Sequence, residues 1–465
     1  MMSENSLLPE PKFLPELHPT FRPAALANRA YENAAETTGT PVEVGVAIEQ
    51  TDGSVFHHGT KVFPEGHELA KHNFRQVERM AKFLKWSRGG RRIHLTGPAY
   101  LAEQLQSYYR EHPFGQFDNE VIGKRNFGHP LEAVNCEELP ALNAETRPIG
   151  RNLDGCRIGF DLGGSDRKAA AVIDGEVVFS EEIVWDPYFQ KDPNYHYEGI
   201  IHSLKRAAEH LPRVDAIGGS AAGCYSKNRV TWASLFRGVP DDVFDNQVRD
   251  MFIKIGQEWD VPLDVINDGE VTALAGSMAL GKNGVLGIAM GTSQGGGYID
   301  PNGNITTWLS ELAFAPVDHH PSAPPDEWSG DLGCGAQYFS QQAVGRLLPA
   351  SGIEVEDGLT LPEKLKVVQA LMEKGDERAL KIYDAIGIYL GYSLAHYDDY
   401  YDYDYVLLLG RVTSGPGGEV IIEKSKEVMA AEFPELAERI KFHIPGETEK
   451  RHGQAVAAAS LPKVG

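Results

Sequence analysis

The sequence is short of basic residues, has few cysteines and contains no long apolar run. It has 44 Lys and Arg against 66 Asp and Glu, and its net charge of -22 disfavours nucleic acid and anionic membranes as partners. Its four cysteines form no C-x-x-C pair, which excludes a disulfide framework and a zinc ribbon: Cys136, Cys156, Cys224 and Cys334. No run of about 18 apolar residues is present, and the first residues lack the pattern of a signal peptide. We therefore expect a cytoplasmic protein.

The first 150 residues carry secondary-structure patterns but no motif that indicates chemistry. Residues 1–40 are rich in Pro, Glu and Asn, and we predict an arm that lies on another part of the protein. Residues 42–63, with an Asp-Gly turn in the middle, predict a β-hairpin. The apolar spacing over 74–84 predicts a helix, which a strand at 92–95 and a second helix near 99–111 follow. Together these patterns predict an α+β unit over residues 41–150.

From Cys156 onward, short apolar strands alternate with helical stretches, which is typical of α/β layering. The first motif begins there: an apolar strand ends in Asp161 and turns through Gly163, Gly164 and Ser165. Glycines let backbone N–H groups approach an anion, and Ser165 and Lys168 are candidates to reach phosphate oxygens. Asp161 suits a magnesium ion bound through water. A bare hairpin turn is the alternative.

The second motif places Asn267 and Asp268 at the end of a strand and before a helix of small residues. Ligands of α/β sheets gather at the carboxyl ends of strands. A carboxylate at that position can accept a hydroxyl proton during phosphoryl transfer and so act as a general base. The alternative is that Asp268 only caps the helix.

The third motif is a strand, a glycine-rich segment with hydroxyl groups, and a second strand. It contains Gly291, Thr292, Ser293, Gly295 and Gly296. So many glycines in one segment would weaken a regular element by about 0.5–1 kcal/mol each. We therefore expect a flexible turn that binds a ligand.

In order and spacing, the three motifs resemble the ROK family of bacterial sugar kinases and related regulators, within the actin, hexokinase and Hsp70 superfamily. The resemblance covers residues 157–463. It implies an α/β fold with two RNase H-like lobes, as in actin-like ATPases, which we place at 151–285 and 286–465. The α+β unit is then an addition before the first lobe.

The resemblance also implies roles for individual residues. The turns Asp161–Ser165 and Gly291–Gly297 would hold the phosphates of ATP, and Gly410 belongs to a segment that lies by the adenosine. Asp268 would be the general base, and Asn267 and Glu311 would orient a sugar.

Three departures from the family pattern bear on the acceptor. Phe314 stands where the family has a His that serves both sugar and zinc, and Ala336 aligns with a sugar-contacting Glu. The segment that corresponds to the cysteine-rich zinc loop keeps only Cys334, and one thiol cannot form a structural zinc site. We therefore predict no zinc, and an acceptor other than ordinary glucose with Phe314 as an apolar wall.

These observations predict an ATP- and Mg²⁺-dependent phosphotransferase with an alcohol group as acceptor, acting on a sugar or related polyol. A homodimer is compatible with the sequence. Two alternatives stay open: a non-catalytic ROK-like ligand sensor, suggested by the missing sugar contacts, and an ATPase of the same superfamily.

Overall fold

A computed structural model describes residues 4–144, 146–147, 149–306, 308–446 and 453–464. The chain forms three sheets of four, five and six strands and one two-stranded hairpin. Within the described ranges, no helix has the length and apolar character needed to cross a bilayer.

The N-terminal unit is a four-stranded sheet covered by helices. Its elements are α1 (Ala24–Glu36), β1 (Val42–Glu49), β2 (Val55–Val62), α2 (Asn73–Arg88), β3 (Arg92–Leu95), α3 (Ala99–Glu111), α4 (Pro113–Asp118) and β4 (Glu132–Asn135). The strand order is β2-β1-β3-β4, and a wide helical segment, Asn119–Asn126, continues α4. The predicted hairpin, strand and two helices are confirmed, and so is the additional α+β unit.

The first lobe contains the five-stranded sheet, in the order β12-β9-β6-β7-β8. The elements from the end of the N-terminal unit onward are β5 (Thr146–Arg147), β6 (Cys156–Leu162), β7 (Asp166–Ile173), β8 (Glu176–Val184), α5 (Asn194–Ala208), β9 (Ala216–Ala221), β10 (Cys224–Ser226), β11 (Arg229–Trp232), α6 (Asp241–Val243), α7 (Met251–Trp259), β12 (Leu263–Asn267) and α8 (Asp268–Leu280). Strands β6, β7 and β8 are antiparallel, whereas β9 and β12 run parallel to β6.

The second lobe repeats this arrangement, in the order β17-β16-β13-β14-β15-β5. Its elements are β13 (Val285–Met290), β14 (Gln294–Ile299), β15 (Ile305–Thr306), α9 (Gln341–Ser351), α10 (Leu361–Met372), α11 (Glu377–Asp398), β16 (Tyr405–Leu409), α12 (Pro416–Glu432), α13 (Pro434–Arg439) and β17 (Lys441–His443). One further helix, α14 (Gln454–Ala459), follows β17 in the chain. As in the first lobe, three strands, β13, β14 and β15, are antiparallel, and two more, β16 and β17, run parallel to β13. Strand β5 pairs with β15 at the edge of this sheet. The predicted fold of two equivalent α/β lobes is confirmed.

Two helices lie directly on sheet backbones because glycines remove the side chains between them. A Cβ on Gly297 would lie 2.0 Å from the carbonyl oxygen of Gly269 in α8, so α8 touches β14 backbone to backbone. In the first lobe, a Cβ on Gly159 or Gly218 would lie 2.0 or 1.7 Å from a carbonyl oxygen of α14. Helix α14, near the C-terminus, therefore packs on β6 and β9 of the first lobe.

The N-terminal unit shares its hydrophobic core with the second lobe. One continuous cluster of buried side chains includes Phe83 and Trp86 of α2 together with Leu286, Tyr298 and Tyr397 of the second lobe. The first lobe has a separate core around Phe160 and Phe252, whose rings stack at 5.9 Å.

Buried ion pairs on α2 join this unit to the segment around Asp331. The Arg79 guanidinium lies 3.0 Å from the Asp331 carboxylate, and the Lys82 ammonium contacts Asp331 as well. The Lys85 ammonium lies 2.6 Å from Asp118. Although burial by itself lowers the pKa of Lys82, the carboxylates of Asp118 and Asp331 hold that pKa above its ordinary value. Side chains buried this completely require the pairing, since an unpaired buried charge costs several kcal/mol.

We expect Gly297→Ala to destabilise the protein by about 3 kcal/mol or more, because the new methyl group would overlap the Gly269 carbonyl and push α8 off β14. The measurement is the free energy of unfolding in denaturant. Gly59→Ala is the matched control, since it also lies in a strand and its Cβ would meet nothing nearer than 3.6 Å. Equal stability of the two variants would contradict the proposed backbone contact.

Candidate functional site

The first predicted glycine turn links β6 to β7 in the first lobe. The Gly163 N–H donates to the Asp166 carbonyl at 3.0 Å, which closes the turn. A Cβ on Gly164 would lie 1.8 Å from the Tyr188 hydroxyl, so a side chain there would displace the Tyr188 ring. The Ser165 hydroxyl donates to the Asp166 carboxylate at 2.8 Å, and the Lys168 ammonium lies 3.2 Å from the same carboxylate.

The second glycine turn links β13 to β14 in the second lobe and is shorter than expected. It comprises Gly291, Thr292 and Ser293, and the Gly291 N–H donates to the Ser293 carbonyl at 3.0 Å. Helix α9 begins beside it, since the Gln341 N–H donates to the Gly291 carbonyl at 2.8 Å. Helix N-termini favour anions because their free N–H groups carry partial positive charge.

Gly295 and Gly296 lie in strand β14 and not in a flexible turn, where the sequence placed them. They pair with Ala289 and Ile288 of β13. A Cβ on Gly296 would lie 2.3 Å from the Ser310 carbonyl, so its missing side chain serves the close packing of the 310 segment. The glycine count of this motif therefore reflects packing as well as the turn.

Gly410 lies beside the second turn. It follows β16 with φ +92°, a left-handed conformation that favours glycine. A Cβ there would lie 2.4 Å from the Met290 carbonyl at the end of β13. The structure thus brings Gly410, Gly291 and the start of α9 together at one end of the second sheet.

Asp161 lies near the end of β6 and is 7% exposed. It accepts hydrogen bonds from the Ser220 hydroxyl at 2.7 Å and from the Gln454 amide at 3.1 Å, and the Lys168 ammonium lies 3.7 Å away. Burial raises the pKa of Asp161 above its ordinary value, although the Lys168 charge opposes this shift. The carboxylate is oriented by neutral donors and only partly neutralised.

Asn267, and not Asp268, caps helix α8. The Asn267 side-chain oxygen accepts from the Gly269 N–H at 2.8 Å, and its amide donates to the Gly223 carbonyl at 2.8 Å. Asp268 is the first residue of the helix, with its carboxylate 3.0 Å from the Gly269 N–H. Burial, and next the charge of Asp161, raise the pKa of Asp268 to about 6. Asn267 of β12 and Leu162 of β6 both pair with Ala221 of β9, so Asp268 and Asp161 lie at the same edge of the first-lobe sheet.

Two glutamates extend this acidic group. Burial, and next the charge of Asp268, raise the pKa of Glu311 to about 7. Burial alone raises the pKa of Glu270 to about 8. Burial, and next the charges of Glu311, Glu270 and Asp268, raise the pKa of the Cys224 thiol well above its ordinary value. Neither Glu270 nor Cys224 is among the site residues predicted from the sequence, although Glu270 follows the Asn-Asp-Gly segment directly.

A narrow pocket adjoins Glu311 and contains side chains from the N-terminal unit. Its lining residues are Trp86, Val121, Ile122, Asn126, Cys224, Trp232, Leu309 and Glu311. The Thr231 hydroxyl donates to the Asn126 amide oxygen at 2.6 Å, so the N-terminal unit is joined to the first lobe here. Phe314 packs against Trp86 at 4.3 Å between ring centres. The apolar wall predicted for Phe314 thus continues into the added unit.

The oxygen donors at Asp161 fit Mg²⁺. Asp161 and Asp268 are two carboxylates whose mutual repulsion raises the pKa of Asp268, and Ser220 supplies a hydroxyl next to them. Hard oxygen ligands of this kind are those that Mg²⁺ prefers.

Cys334 is buried, and burial raises the pKa of its thiol. In the ranges that the structure describes, no three His, Cys, Asp or Glu side chains form a cluster that could ligate a metal ion directly.

Comparison with known proteins gives a consistent result. No family model matches the chain. The glucokinase of Halalkalibacterium halodurans is 26% identical over 307 residues, which are 62% of this chain and 89% of that protein. A ROK family glucokinase from Streptomyces griseus, solved with glucose and AMPPNP, has a TM-score of 0.50 and 21% identity over 67% of this chain and 100% of its own.

A ROK family transcriptional regulator, a homologue of the Escherichia coli MLC protein, has a TM-score of 0.55 and 18% identity over 67% of this chain and 79% of its own. The predicted resemblance to ROK family sugar kinases is confirmed, and the chain has their two-lobed actin-like ATPase fold. The related proteins include both kinases and a regulator.

Asp268→Asn should stabilise the protein at pH 8 by on the order of 1–3 kcal/mol, because the native state then no longer buries a charged carboxylate. The pKa of Asp268 is about 6 in the native state, against an ordinary value of 3.8. The wild type therefore loses stability as the pH rises from 3.8 to about 6. The gain should therefore vanish near pH 4. Unfolding free energies at pH 4 and pH 8 test this.

The control is Glu438→Gln, which changes an exposed carboxylate on α13. A gain for Asp268→Asn that is equal at both pH values would mean that its carboxylate is not desolvated.

Proposed function

We propose that this protein is an ATP-dependent kinase that transfers the γ-phosphoryl group to a hydroxyl of a sugar or related polyol, with Asp268 as general base. The observation that supports this most directly is the capping of α8 by Asn267. Because Asn267 takes the capping role, the Asp268 carboxylate is available beside Asp161 and Glu311. A binding protein has no need for a desolvated carboxylate in that position.

The reaction assigns a defined task to Asp268. The acceptor hydroxyl gives its proton to the Asp268 carboxylate as its oxygen forms a bond to the γ-phosphorus. The bond from the γ-phosphorus to the β,γ-bridging oxygen breaks, and ADP leaves. A pKa of about 6 leaves Asp268 ionised at neutral pH yet more basic than an ordinary aspartate, which suits a general base.

The phosphate chain would be held from both lobes. In this proposal the N–H groups of Gly164 and Thr292, the Ser165 and Ser293 hydroxyls, and the Lys168 ammonium contact phosphate oxygens, while the N–H groups of Gly163 and Gly291 close the two turns. Asp161 would hold Mg²⁺ through water, and the ion, when bound, neutralises charge on the phosphates. Gly410 would lie by the adenosine, beside the second turn.

The acceptor would lie against Glu311 and Asn267, with Phe314 and Trp86 as its apolar boundary. Phe314 and Ala336 cannot donate or accept the side-chain hydrogen bonds that a His and a Glu would provide. Each such contact is worth roughly 1–3 kcal/mol, so we propose an acceptor that is more compact, or less polar on one edge, than glucose.

For Asp268→Asn we expect turnover to fall by about 10²- to 10⁴-fold, since an amide cannot accept the proton. Wild-type kcat/KM should rise about tenfold per pH unit up to pH 6 and then level off, because Asp268 must be ionised. Coupled ADP-release assays over pH 5–8 measure both effects. Glu438→Gln should behave as the wild type. Unchanged turnover in Asp268→Asn, for whichever acceptor is found, would refute the assignment of the base.

A non-catalytic ligand sensor is the second candidate, because Phe314 and Ala336 replace two sugar-contacting residues that the family resemblance implies. The similarity in fold to a ROK family regulator is compatible with this function. An ATPase of the same superfamily is the third candidate. Such an enzyme would not need the sugar contacts that Phe314 and Ala336 cannot provide.

A thermal-shift panel of sugars and polyols, with and without Mg-ATP, distinguishes the candidates. For a kinase we expect Mg-ATP to raise the Tm, and one compact polyol to raise it further by a few degrees, as saturating ligands do. A sensor should respond to a sugar and ignore Mg-ATP. An ATPase should hydrolyse ATP at a rate that no polyol changes. Either of these last results would overturn the kinase proposal.

A further inference from the structure

A cavity of about 590 Å³ lies outside the site described above, at the opposite end of helix α2. The N-terminal arm, α1, the start of α2 and the segment 319–321 enclose it. Arg75 marks this end of α2 and Trp86 the other, and at 1.5 Å per residue the two lie about 16 Å apart along the helix axis. The cavity is therefore separate from the pocket at Glu311.

Three arginines line the cavity in a chain that is strongly acidic overall. Arg79 is neutralised by Glu78 and Asp331. Arg75 donates to the His319 carbonyl at 3.2 Å, and Arg22 donates to the Phe21 carbonyl at 2.8 Å. In the described part of the chain, neither the Arg22 nor the Arg75 guanidinium forms an ion pair with a carboxylate, although the Arg22 backbone N–H donates to the Asp318 carboxylate at 3.0 Å.

The Arg75 and Arg79 guanidinium groups disfavour further positive charge beside the cavity. Burial, and next the charge of Arg79, lower the pKa of Arg75. Burial, and next the charge of Arg75, lower the pKa of His319 well below its ordinary value. His319 is 5% exposed, and its Nε2 atom is buried with no hydrogen-bond partner among the described residues. Glu10 is the one acidic residue among the described lining residues. An anion would be favoured beside these groups.

Part of the lining of the cavity is apolar. Leu7 and Leu8 of the arm and Ala27 and Tyr31 of α1 form it. A volume of this size is typical of sites for small organic ligands. A ligand that matches both parts of the lining has an anionic group at one end and a less polar body at the other.

We propose that this cavity binds a small organic phosphate, with its phosphate group at Arg22 and Arg75 and its organic part against Leu7, Leu8 and Tyr31. Guanidinium groups bind phosphate oxygens in bidentate fashion and remain charged at every physiological pH. The enclosure by the arm and α1 selects a small molecule over a macromolecule.

Calorimetric titration of the full chain tests the proposal. The probes are glucose 6-phosphate, adenosine monophosphate, glucose and inorganic phosphate, each added in the presence of saturating Mg-AMPPNP so that the glycine turns are not available. We expect at least one phosphate ester to bind more tightly than inorganic phosphate, and glucose not to bind. Arg75→Ala and Arg22→Ala should each weaken this binding about tenfold or more, since a charge-assisted hydrogen bond is lost.

Arg378→Ala is the matched control, because Arg378 is an exposed arginine paired with Asp376 and does not line the cavity. The Arg378→Ala variant should bind the phosphate ester as tightly as the wild type does. Neither Arg75 nor Arg22 belongs to an ion pair in the described residues, so we expect both variants to fold, with a Tm near that of the wild type. Should one of them fail to fold, the other still decides the question. Absence of binding by any ester, esters binding no better than inorganic phosphate, or unchanged binding in a folded Arg75→Ala or Arg22→Ala variant would overturn the proposal. The outcome does not depend on kinase activity.

Discussion

The contact between the backbone of α8 and the backbone of β14 determines where the acidic group lies. Gly269 and Gly297 meet with no side chain between them, and a methyl group on either would lie 2.0 Å from a carbonyl oxygen. Backbone at such short range has no freedom to shift, so the first turn of α8 is fixed on the second lobe. Because β12 delivers that turn from the first lobe, the same contact holds the two lobes at the place where Asp268 lies. Helix α14 uses the same device in the other direction, on Gly159 and Gly218.

The acidic group is unfavourable for stability and must be supported by the rest of the fold. Three of its carboxyls have pKa values raised by burial to about 6, 7 and 8, those of Asp268, Glu311 and Glu270. A desolvated acid costs free energy whenever it is ionised. The surrounding packing offsets this cost, most of all the continuous core that the N-terminal unit shares with the second lobe. Functional sites in general concentrate such locally unfavourable arrangements.

The N-terminal unit is part of the structural support of the site and not a separate appendage. Its helix α2 holds the 331–334 segment through the Arg79 and Lys82 ion pairs, at the place where the family resemblance implies a zinc loop. The same helix places Trp86 against Phe314. An ion-paired helix and an aromatic contact thus lie at the two places where the sequence departs from the family pattern. The departures at Phe314 and Cys334 belong together, because one added helix covers both.

The sequence by itself determined the local features. The hairpin at 42–63, the helix over 74–84 and the strand-turn-strand pattern around Gly163 follow from periodicity and turn chemistry, which act over a few residues. It also identified Asp161, Asp268 and Glu311 as candidates, through their order along the chain. Only the tertiary structure decided which residue caps α8, that Gly295 and Gly296 lie in a strand, and that Glu270 and Trp86 adjoin the site. Those features depend on contacts between segments far apart in the chain. Local sequence patterns do not specify which backbone segments will touch.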